Sequence, residues 1–330
     1  MARFSRCFFT GIGLACATGT ALAQPKGGDA PDYPNKSIRM IVPVTAGGST
    51  DVVARIVTAR MGELLGQQFV IDNRAGAGSM VGSDIVAKAV PDGYTLLMAY
   101  APHITTPYLH KNVPYDTLKD FTPVTLVATQ PLMIVVNAAV PVRSIKELVA
   151  LAKAKPGQLN YGLSPAGSAG HVAGEMFKLM TGTNIVPIPY KGGASSQAAL
   201  ASNEVQLIFA NTLTGMAMVK AGKAVVIGVA AEKRLAIFPD VPTFTEQGFP
   251  KFEVEPWQGI LGPRGLPKPV VERLYKATVE TLRDAGVREK LAATGSTIVG
   301  STPGEFDARI RSQLKSWGDV IRKSGMRGED

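Results

Sequence analysis

At 330 residues, 45 % of them apolar and 18 % charged, the chain exceeds a typical domain of roughly 100–150 residues and has material for two cores. Its formal net charge of +9 suits an anionic ligand, yet the basic residues are scattered, which argues against a nucleic-acid partner. Both cysteines, Cys7 and Cys16, fall near the N-terminus, so the rest of the chain holds no disulfide, thiol nucleophile or thiolate metal site.

The first 23 residues read as a secretory leader. Arg3 and Arg6 precede the apolar run Cys7–Ala17, and Ala21-Leu22-Ala23 offers small residues for cleavage after Ala23, toward a periplasmic location. A lipoprotein reading through Cys16 would want Leu where Gly13 stands. Residues 24–34 form a polar tether, expected to be disordered. A first strand follows at Ile38–Val42, then the loop Pro43–Asp51 and a helix from Ser49 to Leu65, ended by Gly66. A second strand at Phe69–Ile71, a helix from Met80 to Ala89 and a third strand at Tyr94–Ala99 continue the alternation. Strands Val124–Ala128 and Leu132–Val136 flank Thr129-Gln130-Pro131, read as a crossing into a second lobe.

There, Ser144 and Glu147 are read as a capping box for a helix Ile145–Lys155. Strand Leu159–Tyr161 leads through Gly162–Ser168 to a helix ending near Met180. Strand Ile185–Ile188, helix Ala194–Ala201, strand Val205–Ala210, helix Thr212–Ala221 and strand Ala224–Ala230 come next. Phe252–Ile260 is the return crossing, Pro267 opens a helix, and Thr302-Pro303-Gly304-Glu305 caps the last one. Continuous apolar strands alternating with helices predict an α/β protein of two lobes, each a mainly parallel sheet flanked by helices. One lobe spans 35–128 plus 257–330 and the other 129–256, with ligand-binding loops at the strand C-termini.

Several ordered patterns coincide along the mature chain: Pro43-x-x-x-Gly47-Gly48-Ser49-Thr50-Asp51, Asn73-Arg74-x-Gly76-x-Gly78, Pro91-Asp92-Gly93-Tyr94, Tyr161-Gly162-x-Ser164-x-x-Gly167-Ser168, Pro189-Tyr190-Lys191-Gly192-Gly193 and Val241-Pro242-Thr243. In order and spacing they resemble the Bug-type solute receptors of tripartite tricarboxylate transporters. The resemblance implies a periplasmic, monomeric, two-lobed "Venus flytrap" of the type II-like periplasmic binding proteins. Such a receptor traps a small carboxylate between one loop per lobe and delivers it to a membrane permease. Dicarboxylates, amino acids and aromatic acids all fit that anchor. Family members commonly carry Phe where Val44 stands and Pro where Ala46 stands, so this wall of the cleft is expected to be less aromatic.

The candidate ligand-binding residues follow from helix-start physics: open backbone N–H groups and hydroxyls grip an anion without a basic side chain. In the first loop they are Thr45, Ala46, Gly47, Gly48, Ser49, Thr50 and Asp51, with Asp51 read chiefly as a brace because a carboxylate repels an anion. In the second they are Ser164, Ala166, Gly167, Ser168 and His171; Tyr100 and Asn211 join them from strand ends. Lys191 is read as a solvated surface cation. Gly76-x-Gly78 with Gly82 misses dinucleotide spacing. No metal or other cofactor and no enzymatic role are expected, since no H-x-x-x-H pair or G-x-S-x-G elbow occurs. Two other readings stay open at this level: an exported serine hydrolase using Ser164 or Ser168 with His171, and a receptor that presents its ligand to a signalling partner.

Overall fold

A computed structural model describes residues 33–163, 167–190, 193–250, 252 and 254–327. The leader, most of the tether, Ser164, Ala166 and Lys191 lie outside the described residues. The chain opens with β1 (Ile38–Val42), α1 (Ser49–Leu65), β2 (Phe69–Asn73), α2 (Met80–Ala87), β3 (Thr95–Tyr100), α3 (Pro102–Leu109) and β4 (Phe121–Thr129). It continues through β5 (Leu132–Asn137), α4 (Ile145–Ala154), β6 (Asn160–Leu163), α5 (Ala169–Thr181), β7 (Val186–Pro189) and α6 (Gly193–Ala201). Next come β8 (Leu207–Asn211), α7 (Thr212–Lys220) and β9 (Ala224–Ala230). It returns with β10 (Trp257–Pro263), α8 (Lys268–Arg283), α9 (Ala285–Ala293), β11 (Thr297–Ile298) and α10 (Pro303–Ser324).

These strands form two sheets, ordered β11-β4-β10-β3-β1-β2 and β7-β6-β8-β5-β9. The two-lobed α/β class is as expected, but the sheets are mixed rather than mainly parallel. β1 pairs parallel with β2 and β3, and β6 pairs parallel with β7 and β8, through helical crossovers. The strands that carry the chain between the sheets run the other way. β10 is antiparallel to β3 and β4, and β5 is antiparallel to β8 and β9, because a chain that leaves one sheet must re-enter it in the opposite sense.

Each sheet is covered on both faces. Val53, Val57 and Met61 of α1 and Leu274 of α8 pack on one face of the first sheet, over Met40 and Met98. Leu200 of α6 and Met218 of α7 do the same for the second, over Met133 and Val229. A third cluster is continuous from Ile41 and Leu97 through Trp257, Phe306 and Trp317 to Ile134, Phe177 and Phe209, so it joins the two sheets.

Local signals explain most element ends. Gly66, Gly182 and Gly325 cap α1, α5 and α10 in the left-handed conformation. Thr302 and Glu305 make a full capping box. The expected box at α4 is only half made: Ser144 Oγ accepts from Glu147 N at 3.2 Å, but Glu147 Oε2 accepts from Arg143 N at 2.6 Å, one residue before the cap. The sequence reading also passed over α9, which Asp284 caps through Val287 N at 3.0 Å.

Candidate functional site

The loop from Pro43 to Gly48 leaves the C-terminal end of β1 and enters α1 through Gly48, which has no side chain with which to cap the helix. The first-turn N–H groups of a 17-residue helix are therefore left without a side-chain acceptor. Asp51 holds the loop from behind. Its Oδ2 accepts from Gly47 N at 2.8 Å and from Arg55 Nε at 2.9 Å, and its Oδ1 accepts from Asn73 Nδ2 at 2.9 Å. The same Asn73 amide donates to Val44 O at 3.1 Å. Burial acts to raise the Asp51 carboxyl, but the bonds from Arg55, Gly47 and Asn73 outweigh it and keep it below the ordinary carboxylate value. A Cβ on Gly48 would face Thr45 O at 3.3 Å and Val44, back into its own loop.

Across from it, α5 begins after Ser168, whose Oγ accepts from His171 N at 3.3 Å. The His171 ring turns back: Nδ1 accepts from Gly167 N at 3.3 Å, and burial lowers the imidazole below its usual value, so the ring is neutral. The Gly167 carbonyl accepts from Thr105 Oγ1 of α3 at 2.9 Å, tying this loop to the first sheet's helices.

Between the loops lies a cavity of about 490 Å³. Thr45, Ser49, Thr50, Tyr100, Ser168 and Asn211 line it. Ala46, Gly47, Gly48, Asp51, Gly167 and His171 do not; of these, Gly47 with Asp51 and Gly167 with His171 brace the two loops. Asn211 caps α7 through Thr214 N at 3.0 Å, and burial beside Tyr115 pushes the Tyr100 phenol up to about 12, which leaves it a donor. Among the described residues the wall contains no Lys, Arg, His, Asp or Glu. It is built instead where helices begin: Ser49 and Thr50 of α1, Ser79 before α2, Ala169 of α5, Gly193 of α6 and Thr214 of α7. Nothing among the described residues groups three acidic, His or Cys side chains as a metal site.

Two parts of this wall escaped the sequence reading. One is the loop Gly76–Ser79, in which all four residues have positive φ (135°, 44°, 58° and 76°). Its signal was the glycine pair at the end of a parallel strand, read for dinucleotide spacing and as a family pattern but not as cavity wall. The other is the amide pair Gln130 and Gln258 at the crossing strands. Its signal was a lone polar residue inside the apolar run Trp257–Leu261.

A family profile described as "Tripartite tricarboxylate transporter family receptor" matches residues 53–326. The protein BugT of Bordetella pertussis is 36 % identical over 95 % of this chain and 96 % of its own. Among solved structures, the periplasmic binding protein BugD is 34 % identical with a TM-score of 0.76, over 90 % of this chain and 100 % of its own. An R. palustris protein solved with adipate is 33 % identical with a TM-score of 0.80, over the same shares of each chain. The profile covers most of the chain, and the chain belongs to the receptor family of the tripartite tricarboxylate transporters.

Proposed function

We propose that this protein is a periplasmic receptor that captures a small dicarboxylate in the cavity between its two sheets and presents it to a membrane permease. The observation that carries the reading is a wall that, among the described residues, holds no acidic or basic side chain of the Asp, Glu, His, Lys or Arg kind, is built from helix beginnings, and has α1 uncapped at Gly48. Such a wall favours a compact anion through fixed N–H groups. Its described residues offer no carboxylate to pair with a ligand ammonium, which sets dicarboxylates ahead of amino acids. The adipate held by the R. palustris relative and the leader at residues 1–23 support the same assignment.

In this reading the contacts fall to Thr45, Ser49 and Thr50 on one side and Ser168 and Asn211 on the other. Tyr100 and the Gly76–Ser79 loop flank the ligand body. Opening would pivot where the chain crosses, at Thr129–Pro131 and Glu255–Trp257, with lobes 35–128 plus 257–330 and 129–256 moving as bodies. The protein acts as a monomeric binding component without cofactor, not as an enzyme. Isothermal titration of the mature protein against C4–C8 dicarboxylates, monocarboxylates, amino acids and benzoates tests this. Saturable one-to-one binding confined to the dicarboxylates is expected. Binding of sugars or metal ions alone would overturn it.

A further inference from the structure

The amide pair at the cavity has a defined polarity, and that polarity says something about the ligand. Four side chains form one chain of hydrogen bonds. Gln258 Nε2 lies 3.3 Å from Gln130 Oε1, and Gln130 Nε2 lies 3.2 Å from Ser296 Oγ. Ser296 Oγ is 2.8 Å from Thr294 Oγ1, which in turn is 2.6 Å from the carbonyl oxygen of Leu291. Amide orientation is a matter of inference from such networks, and here the inference is forced.

A carbonyl oxygen cannot donate, so the hydrogen at the last contact is that of Thr294. Its single hydrogen thus committed, the Thr294–Ser296 contact needs the hydrogen of Ser296. Ser296 must then accept from Gln130, which places the Gln130 amide nitrogen toward Ser296 and its oxygen toward Gln258. Gln258 therefore donates to Gln130, and its own Oε1 is left over. That atom is buried without a partner, on a side chain only 3 % exposed that lines the cavity. A buried amide oxygen without a donor is costly, and a carboxylate oxygen set against it would make matters worse.

We propose, resting on the dicarboxylate reading above, that Gln258 Oε1 is a specificity element that accepts a hydrogen bond from a ligand hydroxyl, so that the cavity prefers hydroxylated dicarboxylates to plain ones. An ammonium group could also donate, but among the described residues the wall holds no acidic side chain to balance its charge among helix beginnings. The hydroxyl supplies the missing hydrogen without adding charge.

The test is a titration of the mature protein with pairs matched in length: malate against succinate, and 2-hydroxyadipate against adipate. At least one enantiomer of a hydroxy acid should bind on the order of ten- to a hundredfold more tightly than its plain partner. Gln258→Met, which keeps the volume and removes the acceptor, should bring that ratio toward one. Thr294→Val is the second variant. It releases the Ser296 hydrogen, lets the relay invert and turns the Gln258 NH₂ to the cavity, so succinate and adipate should tighten while the ratio falls. Equal affinities within about twofold for both pairs in the unsubstituted protein would overturn the proposal and leave the receptor reading intact. Equal weakening of all ligands by Thr294→Val would overturn the polarity argument. If no dicarboxylate binds at all, the receptor reading falls and this inference with it.

Discussion

Replacing the buried Asp51 by Ala should unfasten the first loop. The carboxylate is 2 % exposed and accepts three hydrogen bonds, of which those from Gly47 N (2.8 Å) and Asn73 Nδ2 (2.9 Å) hold the loop backbone. At roughly 1.5 kcal/mol for each bond to a charged acceptor, these two contribute about 3 kcal/mol. The Arg55 pair adds little, at most about 0.5 kcal/mol, because the Arg55 side chain is half exposed. Asp51→Asn keeps one acceptor and should cost about half as much as Ala. Urea denaturation near neutral pH gives the ΔΔG, and hydrogen exchange at the Gly47 amide reports the loop directly. In the proposed reading, ligand affinity should fall with the loss of loop order. The sign with pH follows, because the folded carboxyl lies below its ordinary 3.8. The contribution is complete above that value and disappears as pH falls through the folded one. A cost below about 1 kcal/mol for Asp51→Ala, with Gly47 exchange unchanged, would refute the bracing argument.

Burial holds His103 neutral and lowers it from 6.5 to about 3. The unfolded chain takes up a proton first, so stability present above 6.5 should decline at about 1.4 kcal/mol per pH unit as pH falls toward 3. Urea titrations at about pH 7.5 and 5.5 measure that slope, and His103→Phe should flatten it; an unchanged slope in the variant would assign it to another group. Gly167→Ala should cost about 2 kcal/mol, since φ is +78° there and a Cβ would sit 2.3 Å from Leu109 Cδ1. Adding Leu109→Ala should recover the steric share in a double-mutant cycle, and full additivity would argue against the contact. Tyr161→Phe removes the hydroxyl that donates to the buried Glu175 Oε1 at 2.7 Å, leaving that carboxylate to Lys178. A loss of about 1–3 kcal/mol in thermal unfolding is expected, and a neutral result would mean water replaces the bond.

Much of the fold was legible because its signals are local. The stretch Ser49–Leu65 has an apolar stripe and a glycine stop, and α1 has those same bounds. Ala224–Ala230 is apolar throughout and becomes β9 without change. Strand direction was not legible, since β10 and β5 look like any buried strand and only the long-range crossing turns them antiparallel. That loops rich in hydroxyls and glycines run ahead of α1 and α5 could be read from the sequence. Which of their residues face the cavity could not, because that depends on the brace made by Asp51 with Asn73, 22 positions away. Ala77 and Ser79 adopt left-handed backbone that neither residue type advertises, and the pairing of Gln130 with Gln258 spans 128 positions.

The uncapped start of α1 has a consequence for descent with modification. A grip made of main-chain N–H groups cannot be deleted by exchanging a side chain, so mutation leaves the anchor in place while the surrounding wall drifts. Val44, Tyr100 and Gln258 stand on that wall, and in the proposed reading an exchange there would leave the hold on an anion in place. Gene duplicates of such a receptor start out already able to bind, and differ from the outset only in what they refuse.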